Sequence, residues 1–160
     1  MKSIKILLVL SLLSIMFLTM ACEDKNSTPE SATISGAVTF TGTWSTTGTV
    51  SISMQTAWPP TLAPYAFKTI DSDDLNSNNE YSYSFENVAF GTYPAIAISW
   101  QDPNDSNPAT NQHILGAYGG VYPFFTAYGG TDPKAVTVSK TEYELTGLDF
   151  GADLSLAVLN

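Results

Sequence analysis

Residues 81–100, YSYSFENVAFGTYPAIAISW, decide how this chain folds. Tyr81, Tyr83 and Phe85 fall on one side and Ser82 and Ser84 on the other, the period-two pattern of a strand with one buried face. Asn87 to Gly91 interrupts that alternation. Beyond it, Ile96, Ile98 and Trp100 form an apolar row while Ala95, Ala97 and Ser99 form a row of small side chains, which predicts a central strand covered on both faces. A tight connection joins the two strands in this reading, with Gly91 supplying the positive φ that such a turn needs.

Other alternating segments lie on either side. Ile34, Gly36, Val38 and Phe40 alternate with Ser35, Ala37 and Thr39, and Val50, Ile52 and Met54 with Ser51, Ser53 and Gln55. The turn-rich TGTWSTTGT between these two strands predicts a hairpin whose loop displays Trp44. Trp58-Pro59-Pro60 ends the second strand, because proline has no amide hydrogen to give to a ladder. Residues 65–70 read as an edge strand, and 71–79, DSDDLNSNN, as a polar turn. Residues 101–134 read as one long loop, with a short strand at 113–115 inside it. This loop contains a repeat, AYGGVYP at 117–123 and AYGGTDP at 127–133. Val136 and Val138, then Tyr143 and Leu145, then Leu154, Leu156 and Val158 mark closing strands. Short strands separated by turn signals, with no helical apolar period after residue 21, predict an all-β fold: an antiparallel β-sandwich of about seven to eight strands, prealbumin-like or Ig-like.

The N-terminus reads differently. Lys2 and Lys5 precede an apolar run to Leu18, and Ala21 stands before Cys22, the pattern of an export signal over residues 1–21. The apolar run is short of the ~20 residues that a membrane span needs. Thr19-Met20-Ala21-Cys22 resembles the lipobox of bacterial lipoproteins, which implies cleavage before Cys22 and a lipid on its thiol. Cys22 is the one cysteine, so it has no disulfide partner within the chain. Residues 22–32 then form a flexible tether without apolar period. Its Glu23-Asp24 pair resembles the acidic export signal of surface lipoproteins in Bacteroidetes-like bacteria. The expected organisation is a lipoprotein signal peptide at 1–21, the tether at 22–32, and a sandwich domain at 33–160. The expected address is the bacterial cell envelope, as an outer-membrane lipoprotein with its domain periplasmic or surface-exposed.

Composition narrows the partners. Charged residues are only 13% of the chain while apolar residues are 44%, so Ser, Thr and Asn must supply much of its solubility. The 15 acidic residues face four lysines beyond the signal, Lys25, Lys68, Lys134 and Lys140. Nucleic acid is excluded as a partner, because phosphate binding needs clustered Lys and Arg. Membrane attachment would come from the lipid and not from charge.

One family resemblance covers the domain. Residues 83–93, YSFENVAFGTY, look like the signature of carboxypeptidase regulatory-like domains, in which a strand ending in Phe leads through a turn to Gly-x-Tyr and a core strand. Ile34 to Val38 resembles that family's opening strand, and Val136 to Val138 with LTGLDF at 145–150 its closing pair. The resemblance implies a transthyretin-like scaffold or accessory module without catalytic residues.

Candidate chemistry is sparse. His113 is the one histidine, and no G-x-S-x-G nucleophile motif accompanies it. No cofactor motif is present. Asp102, Asn104 and Asp105, with Asn107, place oxygen donors close together and suggest calcium, as do Asp71, Asp73 and Asp74; the same residue types also form turns. Glu142 and Glu144 share one face of a strand, which reads as its solvent side and not as a glycosidase pair. Trp44, Trp58, Tyr118, Tyr122, Phe124, Phe125 and Tyr128 lie in loops or turns, where they either pack over one end of the sandwich or form a recognition surface; Trp44, Tyr118, Tyr122 and Tyr128 are the candidate ligand-binding residues. The expected function is a non-enzymatic, lipid-anchored module that presents its aromatic and Gly-rich loop to a protein or glycan partner. The alternative is a secreted or envelope enzyme using carboxylates or a calcium-assisted site.

Overall fold

The computed structural model describes residues 28–108 and 110–158. The expected signal segment, Cys22 and the first part of the tether lie outside the described residues. Among those described, the chain is all-β, with ten strands and three short 3₁₀ turns. It forms a sandwich.

The first sheet is built on β1 (Ala32–Thr41). On one edge β1 pairs antiparallel with β4 (Glu80–Val88). On the other it pairs parallel with the short β9 (Glu144–Leu145) near its start and with β10 (Phe150–Asp153) near its end. The expected purely antiparallel sandwich is thus mixed at one edge. In the second sheet, β3 (Ala66–Ile70), β2 (Thr49–Gln55), β6 (Ala95–Gln101) and β7 (Gln112–Ala117) lie side by side, all antiparallel. A separate ladder pairs β5 (Gly91–Tyr93) with β8 (Val136–Val138).

The inner faces carry the alternating apolar rows. Ile34, Val38 and Phe40 of the first sheet meet Ile52, Met54 and Ile98 of the second in one buried cluster. At roughly 25 cal/mol per Å², each of these side chains contributes on the order of 1.5–3 kcal/mol when withdrawn from water. Gly116 of β7 marks where the sheets come closest. A Cβ there would lie 2.8 Å from Ala152 Cα of β10, so this position admits only glycine without parting the sheets.

Several local expectations are corrected. β4 and β6 do not pair; they belong to different sheets, with β5 between them. β1 and β2 likewise lie in different sheets and form no hairpin. Gly91 is in β5, and the positive φ belongs to Asn87 at 56°, the extra residue of a bulge opposite β1. That bulge turns Val88 inward, out of the expected alternation. The loop expected at 101–134 contains the full strand β7, which divides it in two. Residues Leu154–Val158 form a 3₁₀ turn and not a strand. β6 is the interior strand expected, with every residue from Ala95 to Trp100 buried.

Candidate functional site

The outer face of the second sheet is the most distinctive surface of the domain. Because β-strands alternate, the residues between the core-facing ones point away from the sandwich. On β2 these are Thr49, Ser51, Ser53 and Gln55, and on β6 Ala97, Ser99 and Gln101. Register lines them up across strands: Thr69, Ser51, Ser99 and Ile114 form one row, and Thr49, Gln101 and Gln112 the next. The floor is therefore rich in hydroxyls and amides, with Ala97 and Ile114 among them. Ser51 Oγ and Ser99 Oγ lie 3.3 Å apart, and Gln55 Nε2 donates to Ser53 Oγ at 2.7 Å.

Two loops raise walls over this floor and leave a groove of about 1190 Å³. One wall is the Pro-rich segment after β2, including Leu62, together with Phe67 of β3. The other is the loop after β7, which brings Tyr122, Pro123 and Phe125 to the groove. Exposed apolar side chains line it: Leu62 is 70% exposed, Phe67 66% and Tyr122 56%. Among the described residues lining the groove there is no Asp, Glu, Lys or Arg.

The second wall is held by its own chemistry. Its two AYGG repeats pair with each other at equivalent positions, Val121 N donating to Thr131 O at 3.0 Å and Thr131 N to Val121 O at 2.9 Å. Gly130 is needed for that contact, since a Cβ there would lie 2.7 Å from Pro123 N. Phe124 takes a positive φ of 68°, a real outlier for a bulky residue, costing on the order of 1–3 kcal/mol. Its ring is buried against Ala97 and Ala117, plugging one end of the outer face, while its neighbours Tyr122 and Phe125 line the groove. Trp58 holds this conformation. Its Nε1 donates to Phe124 O at 3.0 Å, and its ring stacks on Phe125 with centroids 5.4 Å apart and planes at 19°.

The candidate aromatics do not converge as one set. Tyr122 is in the groove. Tyr128, 77% exposed, packs edge-on against Phe125, one ring further out. Trp44 lies elsewhere, half-buried with its ring 5.3 Å from Phe40 at the edge of the core. Tyr118 packs against Phe150 and under the Lys134 ammonium, 5.9 Å from its ring centre. Phe67 and Leu62 were not foreseen as site residues. Their only signal in the sequence is an apolar residue on an edge strand for Phe67 and one in a Pro-rich loop for Leu62.

The acidic candidates fold their own loops. Asp102 Oδ1 accepts Asn104 N at 2.8 Å; Asp105 Oδ1 accepts Asn107 N at 2.8 Å, and its Oδ2 accepts the Thr110 hydroxyl at 2.6 Å. These bonds, the Thr110 hydroxyl foremost, hold the Asp105 carboxyl below the usual range. Asp74 Oδ2 accepts Asp71 N at 2.9 Å in the same manner. Among the described residues, no three acidic, His or Cys side chains are grouped to hold a metal ion. Glu142 and Glu144 are both exposed. His113 lies on β7 at the groove, its ring 5.5 Å from Trp100.

Compared with family models, with curated proteins and with solved structures, the chain matches none.

Proposed function

We propose that this protein is a non-enzymatic binding module of the bacterial cell envelope, anchored through a lipid on Cys22 and holding a partner in the groove on the outer face of its second sheet. The observation that carries this reading is the groove itself. It combines a floor rich in hydroxyls and amides with exposed aromatic walls, the make-up of a recognition surface. The carboxylates at Asp102 and Asp105 are engaged by loop backbone and lie outside the groove lining, which favours binding over a carboxylate-based or calcium-assisted enzyme. The anchor rests on the sequence pattern around Ala21-Cys22, and residues 22–31, before β1 begins at the buried Ala32, would give the domain reach from the membrane.

Two measurements test the proposal. Mass spectrometry of the mature N-terminus is expected to find a diacylated Cys22; an unmodified thiol there removes the anchor. For the groove, the full chain in detergent is challenged separately with the polysaccharide and the protein fractions of a bacterial envelope. Thr49→Trp, at an exposed position on the floor, fills the groove and is expected to abolish retention of whichever fraction binds. Undiminished retention by that variant, folded as judged by its melting curve, overturns the groove as the binding surface.

A further inference from the structure

We infer that the ligand of the outer groove is a neutral glycan, laid over the hydroxyl and amide floor with its ring faces against Phe67 and Tyr122. The inference rests on the groove being the binding surface, and three features of the groove select the ligand.

Charge comes first. The chain carries a net charge of −9, yet among the described residues lining the groove there is no Asp, Glu, Lys or Arg, and His113 is the one basic side chain there. A polyanion would meet a repelling field with no lysine or arginine to offset it, and a cation would find no carboxylate. Lys68, on β3 beside the groove, is turned to the other side, where its Nζ donates to Ser84 O of the first sheet. An uncharged ligand is what this lining matches.

The floor comes second. One recurring way to hold a peptide is through main-chain bonds to a sheet edge, which in this sheet only β3 and β7, at the rims of the groove, could offer. Here the main chain of β2 and β6 is consumed on both sides by ladders, to β3 and β6 for β2 and to β2 and β7 for β6, so the floor offers side chains only. Those open to a ligand, Thr49, Thr69, Gln101 and Gln112, are hydroxyls and carboxamides, each both donor and acceptor, beside the apolar Ile114. Ser53, Gln55 and Ser99 lie beneath, buried and bonded to one another, to Ser51 or to backbone. Outward-facing positions repeat about every 7 Å along a strand and about every 4.8 Å across the sheet. A ligand dense in hydroxyls, each also donor and acceptor, answers such a lattice at many points; an apolar peptide side chain answers none.

The walls come third. Phe67 and Tyr122 present exposed rings, Tyr122 set edge-on against Phe124 with centroids 5.9 Å apart. Aromatic planes above hydroxyl donors suit a pyranose, which has an apolar C–H face and a polar rim. At about 1190 Å³ the groove also exceeds the range of about 300–1,000 Å³ typical of small-molecule sites, leaving room for several sugar units.

The test is affinity electrophoresis and calorimetry of the full chain in detergent against amylose, mannan, xylan and a mixed-linkage glucan, with polygalacturonate as the acidic control. At least one neutral polymer is expected to bind with little dependence on salt, since no charge pair is formed. Tyr122→Ala and Phe67→Ala are each expected to weaken it about five- to tenfold without lowering the melting temperature, and Tyr122→Phe to retain most of the affinity. Failure of every neutral polymer overturns the inference. So does Thr49→Trp-sensitive binding confined to polygalacturonate or to the envelope protein fraction; in that case the groove stands as a binding surface and only the ligand class falls. Binding of a neutral polymer that Thr49→Trp leaves unchanged places the ligand elsewhere and overturns both.

Discussion

The two faces of the second sheet are made from the same strands and the same backbone, yet they are built to opposite rules. On β6 the inner row is Ile96, Ile98 and Trp100, and the outer row is Ala95, Ala97 and Ser99. On β2 the inner row is Val50, Ile52 and Met54, and the outer row Ser51, Ser53 and Gln55. Both rows are largely withdrawn from solvent: Ser53, Gln55 and Ser99 are only 4–5% exposed. Burial alone therefore does not separate them. The inner face buries large apolar side chains along its whole length, whereas the outer face buries Phe124 at one end and, along β2 and β6, small side chains whose buried polar atoms are all hydrogen-bonded among the described residues. Those hydrogen bonds offset the cost of covering polar groups and add less to stability than buried apolar volume does.

The comparison is broken most severely on the inner side. Ile98 is fully buried between the sheets, and Ile98→Ala is expected to cost about 2–5 kcal/mol, through lost transfer energy and the cavity left behind. Urea denaturation reads this directly. A loss below about 1 kcal/mol would mean that the inner face is no better packed than the outer.

A middle-sized effect sharpens the contrast through pH. Tyr83, on the inner face of β4, donates its hydroxyl to Leu148 O at 2.7 Å. Burial, with help from the Asp149 and Tyr118 charges, raises its phenol well above the ordinary value of 10.0. Tyr93, also buried, is pushed up to about 12 from the same ordinary value, first by burial and then by Tyr65. A phenol whose pKa is higher in the folded chain stabilises the fold in full below the unfolded value, and that contribution is lost as pH rises through the folded value. The protein is thus expected to lose stability above pH 10, continuing through about 12. Tyr83→Phe is expected to cost about 1 kcal/mol near neutrality for the lost hydrogen bond, and less as pH climbs above 10. Urea midpoints for both proteins across this range check the sign; a gap that widens with pH would contradict it.

What could be read from the amino acids follows the same division. The inner rows were legible because period-two alternation of large apolar residues has one physical meaning, and β6 was recognisable as central from Ile96, Ile98 and Trp100. Which sheet each strand joins was not legible. It turns on Asn87, whose positive φ inserts one extra residue into β4, and on β5, which leaves the first sheet for a ladder of its own. Nor was the groove. Ser51 and Ser53 alternate just as a plain solvent face would, and only the loops folded over them make that face a cleft. The AYGG repeat was visible as a repeat, but its two copies pair with each other through backbone bonds that no side chain announces. Phe124 and Phe125 are indistinguishable in sequence. The φ of 68° at Phe124 sends one ring against the sheet and leaves the other lining the groove.

The smallest effect is the most telling about the outer face. Ser51 Oγ and Ser99 Oγ face each other at 3.3 Å across β2 and β6. Removing one hydroxyl leaves its partner without this bond in a mostly covered position, so Ser51→Ala and Ser99→Ala are each expected to cost about 0.5–1 kcal/mol. Removing both leaves two methyl groups in contact and no polar group wanting, so the double variant is expected to lie within about 0.5 kcal/mol of the parent, more stable than either single change. A double-mutant cycle by urea denaturation measures this. If the losses instead add, the two hydroxyls stabilise the sheet as the inner side chains do, and the outer face is merely a second, polar core. If the double variant is neutral, as expected, the two hydroxyls are dispensable to the fold, and the outer face differs from the inner in what it contributes to stability.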